Sequence, residues 1–376
     1  MEEKKKFKLG LLPKLIIAII IGILFGQFLP EGFCRFVVTL SSFFSQFLSF
    51  IIPLMILAYV TMGIANLKSG AGKLLLITVA IAYCSTLIAG SASFFVADTL
   101  FPHFMSADAL DKIAATAGNS LEPYFSLEIP ALMNTLSAVV TAFVLGLCMS
   151  SLRGKTIGDT LYNGVSDFSG IIDCVLHKVI IPLLPLYICG TFVGMAVSGD
   201  AMRVMGVFAK IIVVIFVLPV LILIYEYFIA GLIAKRNPLR LLLNMLPAYF
   251  TALGTSSSAA TIPVTLRQTE KNGVSRGVAG FVVPLCATIH LSGSAMKITA
   301  CALTVCLVGG MPHGIGHFTH FILMLGIIMV AAPGVPGGAI MAALAPLESI
   351  LGFDPNAQAL MIALYIAMDS FGTACN

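Results

Sequence analysis

The stretch NPLRLLLNMLPAYFTALGTSSSAATIPVTLR, residues 237–267, decides how this chain folds. From Leu241 to Leu266 it carries no charge, so it suits a nonpolar surrounding. It is broken in the middle by Gly254-Thr255-Ser256-Ser257-Ser258, residue types that favour turns and caps over helix interiors. Each arm is then about a dozen residues, against the roughly 20 that a helix needs to cross a hydrocarbon core. The arms read as two short helices that enter a membrane and return on the same side.

The rest of the chain supports a membrane setting. Of 376 residues, 59% are hydrophobic and 10% are charged. Globular domains carry roughly 25% charged residues, so this chain has too few to form a soluble skin. A soluble enzyme is excluded and a multi-span helical protein is expected. The net charge of +4 has no basic stripe outside the loops, which speaks against nucleic acid. The nine cysteines lie mostly in apolar runs without paired spacing, so no disulfide framework or CxxC metal site is indicated. No small-residue cleavage site follows MEEKKKFKLGLLPK, and the first apolar run reads as a retained helix.

Apolar runs predict spans at 11–29, 37–66, 74–97, 129–152, 179–199, 209–233, 277–308 and from 357 onward. Fifteen of the 21 basic residues fall on one side if the N-terminus is cytoplasmic. The loop 98–128 holds Asp98, Asp108, Asp111, Glu122 and Glu128 against Lys112 and falls outside. The count closes only if Leu241–Leu266 is re-entrant. A second uncharged run, Phe318–Leu347, breaks at Pro333-Gly334-Val335-Pro336-Gly337-Gly338 and enters from the opposite side. Two opposed hairpins, each followed by a helix, form an inverted repeat, and such breaks point to a transporter's midplane binding site.

At these residues the chain resembles the dicarboxylate/amino acid:cation symporters, the glutamate transporter-type family, as a divergent member. The resemblance covers 237–267, FVVPLCATIHLSGSA (281–295), APGVPGG (332–338) and AMDSFGTACN (367–376). It implies an all-α fold of eight transmembrane helices and two opposed re-entrant hairpins. It also implies a multi-pass protein of the plasma (inner) membrane, a homotrimer among lipids, working as an elevator. Residues 1–72 and 102–203 would supply scaffold helices. Residues 73–101 and 204–376 would move: helix six, hairpin one (238–270), helix seven (276–308), hairpin two (318–353) and helix eight (357–376). Relatives continue helix eight further, so it reads as truncated. No organic cofactor is implied.

Asp369 is an acid deep in the last span, which is costly there and marks function by default. The matching acid in the family holds a substrate's amino group; the alternative is a structural ion pair with Lys297. Thr373 and Asn376 share its helix face at i+4 and i+7. The family uses the matching asparagine for the substrate's carboxylate and amine and the threonine to line the pocket. Acidic-substrate members place an arginine at Gly372. Glycine offers no charge and leaves space, which points to a neutral amino acid, a large one included. Ser256, Ser257 and Ser258 form a tip whose backbone N–H groups suit a carboxylate. Val335 and Gly338 would gate the site from the second tip.

The family's asparagine-methionine-aspartate-glycine-threonine motif is replaced by His290-Leu291-Ser292-Gly293-Ser294. Two of the family's three sodium sites thereby lose ligands. One, built from carbonyls around Thr288, Ala331 and Ala332, is retained as a candidate metal site. Tyr83, with Ser85 and Thr86, resembles an inner cation cluster that Ser292 leaves without its acid. His290 and Lys297 are ionisable in one span, so the coupling ion is H+, Na+ or none. The bland reading has His290 satisfied by hydrogen bonds and Lys297 snorkelling outward. Glu226, ending span six, reads as an interfacial carboxylate. Three rivals remain beside a neutral amino acid carrier: a sodium-coupled dicarboxylate or acidic amino acid symporter, an ion channel, and a non-transporting sensor. A hydrolase built on Ser257, His290 and Asp369 lacks a GxSxG elbow.

Overall fold

The structure is a computed structural model that describes residues 11–65, 72–104, 121–127, 129–133, 135–152, 154–199, 201–330, 332 and 337–376. Among these residues all regular structure is helical. The helices are α1 (Leu11–Phe28), α2 (Glu31–Ala65), α3 (Gly72–Phe104), α4 (Thr135–Leu152) and α5 (Thr156–Val175). A π-helical turn at Leu176–Ile180 leads into α6 (Ile181–Val197) and then α7 (Ala201–Ala234). There follow α8 (Pro238–Thr255), α9 (Ser258–Lys271), α10 (Arg276–Ile289) and α11 (Ser292–Val308). The last are α12 (Ile315–Met329), α13 (Gly338–Leu351), α14 (Pro355–Ala367) and α15 (Asp369–Cys375).

Five apolar helices are long enough to cross a membrane: Glu31–Ala65, Leu74–His103, Thr156–Val197, Ile211–Ala234 and Arg276–Val308. The pair α14 and α15 passes as a sixth, bent by 62° at Met368. The predicted spans at 11–29 and 129–152 form shorter apolar helices. The predicted span 179–199 is the second half of a 42-residue element. Its first half, α5, is amphipathic and buries only Gly158 and Ile172, so its polar face hides it from a hydropathy reading. The expected continuous helix at 357–376 is corrected to two helices. The chain around the bend holds no proline to signal it.

Residues 238–271 form two helices, α8 and α9, that pack on each other. Asn237 caps α8 by accepting from the N–H groups of Leu239 and Arg240, with Pro238 next to it. Ser256 closes α8 in the left-handed conformation at φ 49°, and the Ser257 side chain caps α9 by accepting from Ala260 N. The far ends are tied together: Asn244 Nδ2 donates to Asn272 Oδ1 (2.8 Å), and Asn272 Nδ2 donates to Leu241 O (3.1 Å). At 18 and 14 residues and 1.5 Å each, the arms are about 27 and 21 Å long. Helices α12 and α13 likewise pack together and are short.

Helix α11 is the hub. Every residue from Ser292 to Cys306, and Val308, is buried. It packs against α3, α7, α12, α13, α14 and α15. Helices α1, α2, α4, α5 and α6 pack chiefly on one another. Glycines let α1 approach α6 closely: a Cβ on Gly22 would lie 2.6 Å from Cys189 O. Outer faces expose apolar residues such as Ile16, Ile20, Leu76, Ile81, Val213 and Ile233, as a lipid-facing surface requires.

Candidate functional site

Helix α15 is where the breaks in the chain meet. Asp369 opens it and is 8% exposed. Its Oδ2 accepts from the backbone N–H of Gly337, at the start of α13, at 2.8 Å. One residue on, Ser370 Oγ lies 2.7 Å from Ser256 Oγ at the tip of the first helical pair. One carboxylate-bearing turn thus joins both pairs. Gly337 takes φ 74°, a left-handed conformation that suits glycine. Among the predicted tip residues, Ser258 begins α9 and Gly338 is buried at the start of α13. Val335 and Ala331 lie outside the described residues.

Asn376 turns onto the break in the seventh span. Its Nδ2 donates to Ser294 Oγ (2.9 Å), and its Oδ1 accepts from Ser294 N (3.1 Å). Tyr365 Oη also donates to Ser294 Oγ (3.0 Å). The hydroxyl of Thr373 donates back to Asp369 O (3.1 Å), an intrahelical bond. The side chain is 8% exposed and still borders a cavity of about 740 Å³, with Ser258, Glu226, Tyr249, Thr261 and His290.

Lys297 does not snorkel. It is 0% exposed, and its Nζ donates to Met368 O (2.8 Å) and Asp369 O (3.3 Å), carbonyls at the α14–α15 break. The ammonium also sits 4.3 Å from the centroid of the Tyr365 ring. The space expected over Gly372 is not open. A Cβ built there would overlap Cε and Nζ of Lys297. The sequence could not show this, because the occupant comes from another helix.

His290 lies in the extended break after α10 and is held from several directions. Its Nε2 is 2.9 Å from Ser85 Oγ and 3.7 Å from Glu226 Oε1; its Nδ1 is 3.4 Å from Asn376 O. Ser85 Oγ donates to Glu226 Oε1 at 2.7 Å. Glu226 is therefore not a lone interfacial acid: it brings a carboxylate to the break whose own aspartate position holds Ser292. The Ser292 hydroxyl is fully buried and makes no hydrogen bond to a protein atom among the described residues.

The other expected cation residues are dispersed. Tyr83 Oη donates to Leu323 O (3.4 Å), and Thr86 Oγ1 donates to Ala82 O (2.8 Å). Thr288 is exposed and its hydroxyl donates to Leu285 O (2.9 Å), while Ala332 is buried. Each of these three hydroxyls is thus taken up by a backbone carbonyl. No group of three or more His, Cys, Asp or Glu side chains suited to a metal occurs among the described residues. Sequence reasoning missed Ser294, Ser370, Tyr365 and the role of Glu226. An acid inside an apolar run, between Tyr225 and Tyr227, was the one available signal.

The chain is similar to known proteins along its whole length. It is 27% identical to excitatory amino acid transporter 3 of Mus musculus over 251 residues, 65% of this chain and 46% of that protein. The human protein of the same name is 28% identical over the same shares. The chain thus spans about half the length of these relatives. It is 26% identical to the serine/threonine transporter SstT of Acinetobacter baumannii (strain AYE) over 381 residues, 98% of this chain and 94% of the relative. The family model of the sodium:dicarboxylate symporter family matches residues 11–376, which include the broken spans, the serine tip and the terminal AMDSFGTACN stretch, and by it the chain belongs to that family.

Proposed function

We propose that this protein is a secondary active transporter of neutral amino acids. A symporter family and relatives named as transporters set it apart from enzymes. The observation that carries the substrate reading is Asp369. It is a buried carboxylate at a helix break, bonded to Gly337 of the second helical pair, on a helix whose residue 372 is glycine rather than a cation. A carboxylate out of bulk water suits a substrate ammonium. The near-full-length relative is named for serine and threonine, in keeping with this reading.

The tied ends of α8 and α9 and their short arms support a re-entrant hairpin, and α12–α13 would enter from the opposite face. The two packing groups suit a scaffold and a moving unit, hence elevator transport by a homotrimer in the inner membrane with a cytoplasmic N-terminus. For coupling, the His290–Ser85–Glu226 node replaces the usual acid on α11, which supports proton coupling or a reduced need for sodium. Binding of a panel of amino acids to the purified protein tests the substrate. Tight aspartate or succinate binding with none for serine or alanine refutes the neutral reading. Proteoliposome uptake without sodium, across pH 5–8, tests the coupling; strict sodium dependence with no pH response refutes it.

A further inference from the structure

Asp369, Gly372 and Thr373 share one face of α15 at i, i+3 and i+4, and Asn376 caps its end. If a substrate's amine rests on Asp369, this face is the floor beneath its side chain. At Gly372 the floor is covered by Lys297, which reaches across from α11. Its stem fills the place of any side chain at 372. The head is engaged by backbone and ring. An ammonium has three donors; two end on the carbonyls of Met368 and Asp369, and the remaining face lies against the Tyr365 ring. A buried cation beside the site would ordinarily suggest a receptor for acidic side chains. Here it is held by the helix break and adds bulk beside Gly372.

We propose that Lys297 is a specificity-determining residue that restricts the site to small, uncharged amino acid side chains. The inference rests on the proposed substrate reading and narrows it: Gly372 does not make room for a large substrate, because Lys297 occupies that room. Lys297 and Gly372 act as one unit. Glycine at 372 is required by the lysine, and the lysine sets the ceiling on side-chain size.

The test is binding of alanine, serine, leucine and aspartate to the purified full chain, as wild type and as Lys297→Ala. The wild type should bind leucine and aspartate at least tenfold more weakly than serine. Lys297→Ala should raise leucine relative to serine about tenfold or more, the worth of one or two well-fitted methylenes. A merely structural lysine would change overall stability and leave that ratio alone. Thermal melting adds an independent reading of the geometry: Gly372→Ala should destabilise the wild type and be tolerated beside Lys297→Ala. An unchanged leucine-to-serine ratio in Lys297→Ala, or wild-type protein that binds leucine as well as serine, overturns the inference and leaves the amino acid transporter reading intact. Should Lys297→Ala not fold, the wild-type ratio decides. Wild type that binds none of the four overturns the transporter reading and the inference together.

Discussion

The bond from the Lys297 ammonium to the Asp369 backbone oxygen predicts a measurable coupling energy with the Asp369 carboxylate. The perturbation is a double-mutant cycle of Lys297→Met and Asp369→Asn, each close to its parent in volume. The ammonium is fully buried and is bonded to the backbone oxygens of Met368 and Asp369. Unit charges about 5 Å apart at an effective dielectric of about 20 attract by about 3 kcal/mol, the scale of a through-space coupling. Asp369→Asn keeps an oxygen for Gly337 N and removes the counter-charge, leaving a buried ammonium; breaking such a pair costs about 3–5 kcal/mol, here toward the low end because two carbonyls and a ring remain. Lys297→Met strands those carbonyls and leaves the carboxylate without its cation, at about 2–4 kcal/mol. The double variant should lose less than the two singles together, by about 2 kcal/mol, since no unpaired charge remains. Chemical unfolding of all four proteins in detergent micelles gives the numbers. Additivity within about 0.5 kcal/mol would falsify the electrostatic link and leave Lys297 as a packing residue only.

Four further outcomes follow from other contacts. Ser370→Ala removes the 2.7 Å bond to the Ser256 tip and should weaken substrate binding about fivefold, near 1 kcal/mol, by calorimetry. Asn376→Ala removes two bonds to Ser294 and should cost about 1–2 kcal/mol in unfolding experiments; no change would mean that the seventh-span break is held by other means. Glu226→Gln leaves Ser85 and His290 without their carboxylate and should flatten any pH dependence of sodium-free uptake, with the parent profile retained if the node is idle. Gly26→Val drives a side chain into Ala196 Cβ, 2.5 Å from the nearest built atom, and should cost about 1–3 kcal/mol in melting or unfolding measurements.

The contrast between Gly254–Ser258 and Gly372 shows what each level of description decides. The serine tip was legible because a helix break is a local event. Turn-prone residues between two uncharged arms, each too short to cross, leave few alternatives, and Ser256 and Ser257 do adopt cap geometry. Hydropathy and the scarcity of charge likewise placed the long helices, because burial in lipid is written into residue type. The amphipathic α5 and the bend at Met368 escaped, one because its polar face mimics a loop, the other because no proline or glycine marks it. Glu226 was legible as an acid and illegible as a partner of His290. At Gly372 the sequence by itself determined that no side chain is present, and only the tertiary structure decided that the space is full. Lys297 is 75 positions away, and what covers a glycine depends on which helix packs against it, a matter of long-range packing that residue type at the site does not encode.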